Sequence, residues 1–147
     1  MYLKTLAMAS AMMVLAVSAA YAADEGTKPA REAMMKTIGG SVGVMAAMAK
    51  GDKPYDAAAV KAALVKISET AKAFPDQFKP GSDRTDRAAS PKIWDNAADF
   101  KARADKLSAD AEMIVSQLPA DPAALGASLK TLGADCSGCH QAYRLKE

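Results

Sequence analysis

Leu125-Gly-Ala-Ser-Leu-Lys-Thr-Leu-Gly-Ala-Asp-Cys-Ser-Gly-Cys-His-Gln-Ala-Tyr143 reads as one helix with one inward face. Leu125, Leu129, Leu132, Cys136, Cys139 and Tyr143 recur at alternating steps of four and three, the spacing that stacks side chains on one side of an α-helix. The same stretch holds both cysteines and the single histidine of the chain. Cys136 and Cys139 are three apart, and Cys136 and His140 four apart, so all three project from neighbouring positions of one face.

Three further segments upstream carry the same seam. They are Met35, Ile38, Val42, Met45 and Ala49; then Val60, Leu64, Ile67, Ala71 and Phe74; then Ile93, Ala97, Phe100, Ala104, Leu107, Ala111, Ile114 and Leu118. No stretch alternates apolar and polar residues as a half-buried strand does. Breaks fall at Lys28-Pro29, at Gly51-Asp-Lys-Pro54, across Phe74 to Ser90, and at Leu118-Pro-Ala-Asp-Pro122. Asp56 can cap the second helix, and Ser90-Pro91 and Asp121-Pro122 each put a capping residue before a proline at the first helical position. Short connections favour antiparallel neighbours, so the pattern predicts an all-α, antiparallel up-down-up-down four-helix bundle. The long connection from Phe74 to Ser90 is the exception, and loops of that length often carry function.

The first residues belong to a different problem. Residues 1–22 have one basic residue, Lys4, an apolar run from Leu6 to Val17, and the small-residue ending Ala20-Tyr21-Ala22. That is the pattern of a cleaved secretory signal peptide. The run is too short for a membrane anchor, and no basic stop-transfer cluster follows. The expected mature chain, 23–147, suits a single domain. Cleavage would take only Lys4 from the 19 basic residues and none of the 17 acidic ones. The remainder is close to neutral, with no basic surface for nucleic acid. Export places the cysteines in an oxidising compartment.

Four chemistries compete for the two thiols and the imidazole. Zinc needs four ligands, usually a second Cys or His pair, and there is none. A thioredoxin-like dithiol expects a βαβ setting. A disulfide within one helical turn would restrict little chain entropy. Cys-x-x-Cys-His is the attachment signature of c-type haem, in which the thiols add to the two vinyl groups and the imidazole binds iron from the proximal side. This spacing suits haem best, and it puts one covalent haem c near one end of the bundle.

In an up-down-up-down bundle the start of the first helix is level with the end of the last. Met35 lies there on the seam. Met45 is ten residues on, about 15 Å along the axis, and Met48 is farther. Met113 lies toward the other end of its helix, and Met34 is turned about 100° off the seam. Met35 is therefore the best-placed thioether for the other side of the iron; the pattern alone allows it equally to fill the core. Phe74, Phe78, Trp94, Phe100 and Tyr143 gather at the same end, with Tyr55 elsewhere, and together they suit a large flat apolar cofactor.

Cys136-Ser-Gly-Cys139-His140-Gln-Ala-Tyr-Arg144 resembles the C-terminal motif of the class II cytochromes c, meaning cytochrome c′ and its low-spin, His/Met-ligated relatives. Arg31-Glu-Ala-Met-Met35-Lys36, Gly51-Asp-Lys-Pro-Tyr-Asp56, Phe74-Pro75 and Pro91-Lys-Ile-Trp94 followed by Phe100 extend the resemblance over essentially the whole mature chain. The resemblance implies haem held by Cys136 and Cys139 with His140 as proximal ligand. Cytochrome c′ usually has an apolar residue such as leucine where this chain has Met35, and its iron is open to small gases. Met35 instead matches the low-spin branch, where the methionine is the sixth ligand. Arg31 resembles the arginine that pairs with a haem propionate, and Arg144 resembles the basic residue beside the proximal histidine; position alone also allows either to be a solvated surface arginine. Trp94 joins the cofactor surroundings.

The function expected is one-electron transfer in the periplasm between redox partner proteins, without enzymatic chemistry, since no nucleophile–base pair or phosphate loop is present. Binding of NO or CO at an open sixth site is the rival reading. Homodimers through the first two helices are common in the family, and no membrane anchor would remain after cleavage.

Overall fold

The computed structural model describes residues 26–82 and 84–146; the segment read as a signal peptide, 1–22, lies outside them. Helix α1 spans Lys28–Ala49 and α2 spans Ala57–Ala73, followed by a 3₁₀ turn, Phe74–Phe78. The one-turn helix α3, Lys92–Asp95, precedes α4, Ala97–Ser116, and α5, Pro122–Tyr143. Packing runs in a ring: α1 on α2, α2 on α4, α4 on α5, and α5 back on α1. The molecule is a four-helix bundle in the order expected. Among the described residues, no helix is long and apolar enough to cross a membrane.

The helix ends follow the local chemistry. Asp56 Oδ1 accepts the amides of Ala58 and Ala59 at 2.9 and 3.1 Å. Asp121 Oδ1 accepts Ala124 N–H at 2.8 Å, with Pro122 opening α5. Each such cap stabilises its helix by about 1 kcal/mol. The third seam is not one helix. Its backbone turns at Asn96 (φ −122°, ψ 46°), which separates α3 from α4. Ile93 and Phe100 keep helical spacing across this break, so the sequence pattern could not show it. Pro91, expected as the first helical residue with Ser90 as cap, instead takes the cap position of α3 without a side-chain cap, and Ser90 Oγ accepts Lys92 N–H at 3.3 Å from one residue farther out.

Two apolar clusters fill the bundle. The larger is aliphatic: Met45, Val60, Leu64, Ile67, Leu125 and Leu132 are its fully enclosed large side chains. Burying each such side chain contributes about 1.5–3 kcal/mol. The smaller is aromatic and gathers Phe78, Ile93, Phe100 and Tyr143, with Phe74, Trp94 and Cys139 packed against it. Tyr55 stays with the aliphatic cluster and donates its hydroxyl to Pro119 O.

Candidate functional site

Beside the aromatic cluster the helices part, leaving a cleft of two adjoining lobes of about 560 and 320 Å³. Met35, Phe74, Cys139, His140 and Arg144 line both lobes, and Cys136 lines the smaller one. Volumes of this order suit a small-molecule ligand. Gly39, Ala71 and Ala104 border the smaller lobe, and their small side chains leave the space open. The sequence pattern put both thiols and the imidazole inside the packed core. Here the thiols are half-buried and the imidazole is exposed at an open cleft.

The electrostatics do not favour dithiol redox chemistry. Burial pushes the Cys136 thiol above its ordinary range, and the Asp135 carboxylate pushes it further. Burial likewise raises the Cys139 thiol, against the pull of Arg103. Reactive redox dithiols need the opposite shift. Partial desolvation by the cleft wall and then the Arg144 charge hold His140 below the usual histidine range. At neutral pH it is an uncharged imidazole with a lone pair to offer. Among the described residues, no group of three or more His, Cys, Asp or Glu could hold a metal ion. Besides the two thiols and the carboxylates, the described residues of the cleft include one imidazole on α5 and one thioether on α1.

Of the other candidate residues, Arg144 ends α5, is exposed, and lines the cleft beside His140. Arg31 also lines the cleft, but it is buried at 3% exposure. It donates to Gln77 O at 2.9 and 3.2 Å, to Gly26 O at 3.1 Å and to Ser82 Oγ at 3.4 Å. Its Nη1 lies 3.6 Å from the buried Asp86 carboxylate, and its guanidinium carbon sits 4.1 Å from the Phe78 ring centroid. Arg31 therefore ties the long loop to α1, a role invisible in sequence because its loop partners Gln77 and Ser82 lie 46 and 51 residues away. Trp94 stands one layer behind the cleft, packed edge-on against Phe78 at 5.7 Å with Arg84 over its ring; Ile93 is the α3 residue that lines the opening.

The loop is also tied to the end of α5. Ser90 N–H donates to Tyr143 O at 3.0 Å, and Leu145 N–H donates to Ala88 O at 2.9 Å. Tyr143 donates its hydroxyl to Asp99 Oδ2 at 2.5 Å, and Arg103 holds the same oxygen at 2.8 Å. Arg103 reaches Gly138 O at 3.2 Å as well, fixing α4 against the segment between the two cysteines. Asp86, Gln77, Arg103 and Asp99 were not among the residues the sequence singled out. Only Asp99–Arg103, four apart on one helix, left a local signal.

The profile of the family described as Cytochrome C′ matches residues 28–144. Cytochrome c-556 of Agrobacterium tumefaciens (strain apple 185) is 62% identical over 125 residues, covering 85% of this chain and 99% of the relative. The structure of oxidized R. palustris cytochrome c556 aligns with a TM-score of 0.68 at 32% identity, covering 80% of this chain and 96% of that one. Cytochrome c′ from Rhodopseudomonas palustris aligns with a TM-score of 0.72 at 33% identity, covering 80% and 94%. With the whole bundle, the cleft and its cysteine–histidine motif inside the matched span, the chain belongs to the cytochrome c′ family, the electron-carrying class II cytochromes c.

Proposed function

We propose that this chain is an exported, periplasmic one-electron carrier of a single haem c, which Cys136 and Cys139 would tether through thioethers and to whose iron His140 and Met35 would offer their nitrogen and sulfur. The observation that carries the reading is that Met35 and His140, from α1 and α5, border the same two lobes. When bound, the haem supplies an iron that cycles between ferric and ferrous states. The chain's own residues do the rest. Cys136 and Cys139 fix the cofactor to one helix turn. His140 stays neutral and presents nitrogen. Met35 presents a sulfur, a donor that raises the reduction potential and closes the position a gas would need. Phe74, Phe78 and Phe100 keep water from an apolar body, with ring centroids 5.0–6.1 Å apart. Arg144 puts positive charge at the cleft, suited to a propionate, whereas Arg31, expected in that role, lines the cleft with its guanidinium engaged by the loop and Asp86. The partners are redox proteins that give and take one electron. Export rests on the signal-like segment 1–22.

Absorption spectra of the matured holoprotein, ferric and ferrous, with and without carbon monoxide, test this. Low-spin spectra that ignore carbon monoxide are expected. Met35→Ala should turn the iron high-spin and admit the gas, while Met45→Ala, in the aliphatic core, should leave the spectrum as it was. A high-spin parent that binds carbon monoxide tightly would favour the gas-binding reading.

A further inference from the structure

Asp135 precedes Cys136 and lines the smaller lobe with Cys136, Cys139 and His140. Its side chain is 7% exposed. Oδ1 accepts from Lys106 Nζ at 2.6 Å, and Lys106 also donates to Asp110 Oδ2 at 2.7 Å. Oδ2 of Asp135 is buried and receives no hydrogen bond. One exposed ammonium thus serves two carboxylates, and the buried one stands in the wall of the cleft. An ionised oxygen buried without a donor is costly, and binding a proton is the ordinary relief.

The surroundings divide the two carboxylates. Burial holds Asp135 above the ordinary aspartate range, Lys106 opposes the shift, and Asp110 adds to it. Lys106 pulls Asp110 the other way, below that range. Asp110 keeps its charge, and Asp135 is the one poised to change. The other charged or titratable groups of that lobe are Arg103 on α4 and Cys136, Cys139, His140 and Arg144 on α5. From α1 and α2 come Met35, Ile38, Gly39, Val42 and Ala71, none of which titrates. The arginines stay charged, and the thiols and imidazole are committed to the cofactor in the reading above, on which this inference rests.

We propose that Asp135 is the proton acceptor coupled to one-electron reduction, a positioning residue that makes the reduction potential depend on pH. One electron from the donor protein lowers the charge of the cleft by one. Asp135 Oδ2 then takes one proton from solvent, forming an O–H bond and becoming neutral. When the electron leaves, that bond breaks and the proton returns to solvent. The carboxyl is the stronger acid in the oxidised protein, so the potential falls as pH rises between its two pKa values and levels outside them. The limiting slope is a tenfold change in the reduction equilibrium per pH unit, about 59 mV for one electron.

Spectroelectrochemical titration of the holoprotein from about pH 4, the ordinary aspartate range, to about pH 9 tests this. The parent should show the sloping window and Asp135→Asn should lose it. Reduced-minus-oxidised infrared spectra should gain a carboxylic-acid band inside the window, absent from Asp135→Asn. A slope retained by Asp135→Asn, or a level parent, overturns the assignment. Should Asp135→Asn fail to mature, Lys106→Met decides: removing the ammonium must move the window to higher pH, and an unmoved window rejects Asp135. Protein that holds no haem overturns the parent reading and this one with it; a haem couple without the slope overturns this one alone.

Discussion

At the aliphatic end, Met45, Val60, Leu64, Ile67 and Leu125 are completely enclosed by one another and their neighbours. At the cleft end, Phe74, Trp94 and Cys139 are only partly covered, and the helices stand apart. There, buried or half-buried polar groups do the fastening: Arg31 on the loop, Tyr143 on Asp99, and Ser90 on the backbone of Tyr143. Close packing holds one end, and directed polar contacts hold open the other. The difference teaches that a site for a large cofactor costs apolar contact, and that the bundle offsets the loss with long-range hydrogen bonds.

Arg31→Ala presses hardest on that contrast. It leaves the Asp86 carboxylate buried with less compensation and frees the loop carbonyls. We expect a loss of about 3–5 kcal/mol in denaturant titration, with amide exchange opening first between residues 77 and 90. Equal loss of protection across α1 and α2 would break the contrast. Leu64→Ala should cost about 2–5 kcal/mol at the opposite end while leaving the absorption spectrum of the holoprotein unchanged. A spectral change would show that the two ends are mechanically coupled. Asp56→Ala removes the cap of α2 and should cost about 1 kcal/mol, again with no spectral effect.

Asp99→Asn is the mildest and is read through pH. Arg103, then Tyr143, hold the Asp99 carboxyl below the ordinary aspartate range. Its folded pKa is depressed, so its stabilising contribution is present above the unfolded value and fades as pH falls through the folded one. The melting-temperature gap between parent and Asp99→Asn should therefore close on acidification below the usual carboxylate range. A gap that stays constant there would assign the stabilisation to packing of Tyr143.

How much of this was legible follows the same division. The seam Val60, Leu64, Ile67 and Ala71 is buried as its spacing foretold, because a helix face is a local property. The cysteine–histidine motif is equally local, and its three residues line the cleft. Arg31 was legible as a residue near the site, but not as a buried anchor. Arginine is normally exposed, and what buries this one is a loop distant in sequence. The break at Asn96 left no glycine or proline to read. Asp135 sits one residue before Cys136, beside the inward-facing stripe and not on it, where a carboxylate is unremarkable in sequence. Its meaning emerged only with Lys106, from another helix, beside it.

The joining of Ala88 and Ser90 to Leu145 and Tyr143 has an assembly consequence. One wall of the cleft comes from the first helix in chain order, and the opposite wall, with its latch, comes from the last. During synthesis the pocket therefore has no floor until α5 arrives, and a chain stalled before residue 136 could pair its early helices yet offer no thiol for a cofactor to grip. Trimming back to Gln141 should act like a lifted catch: a bundle still wound, with its mouth ajar.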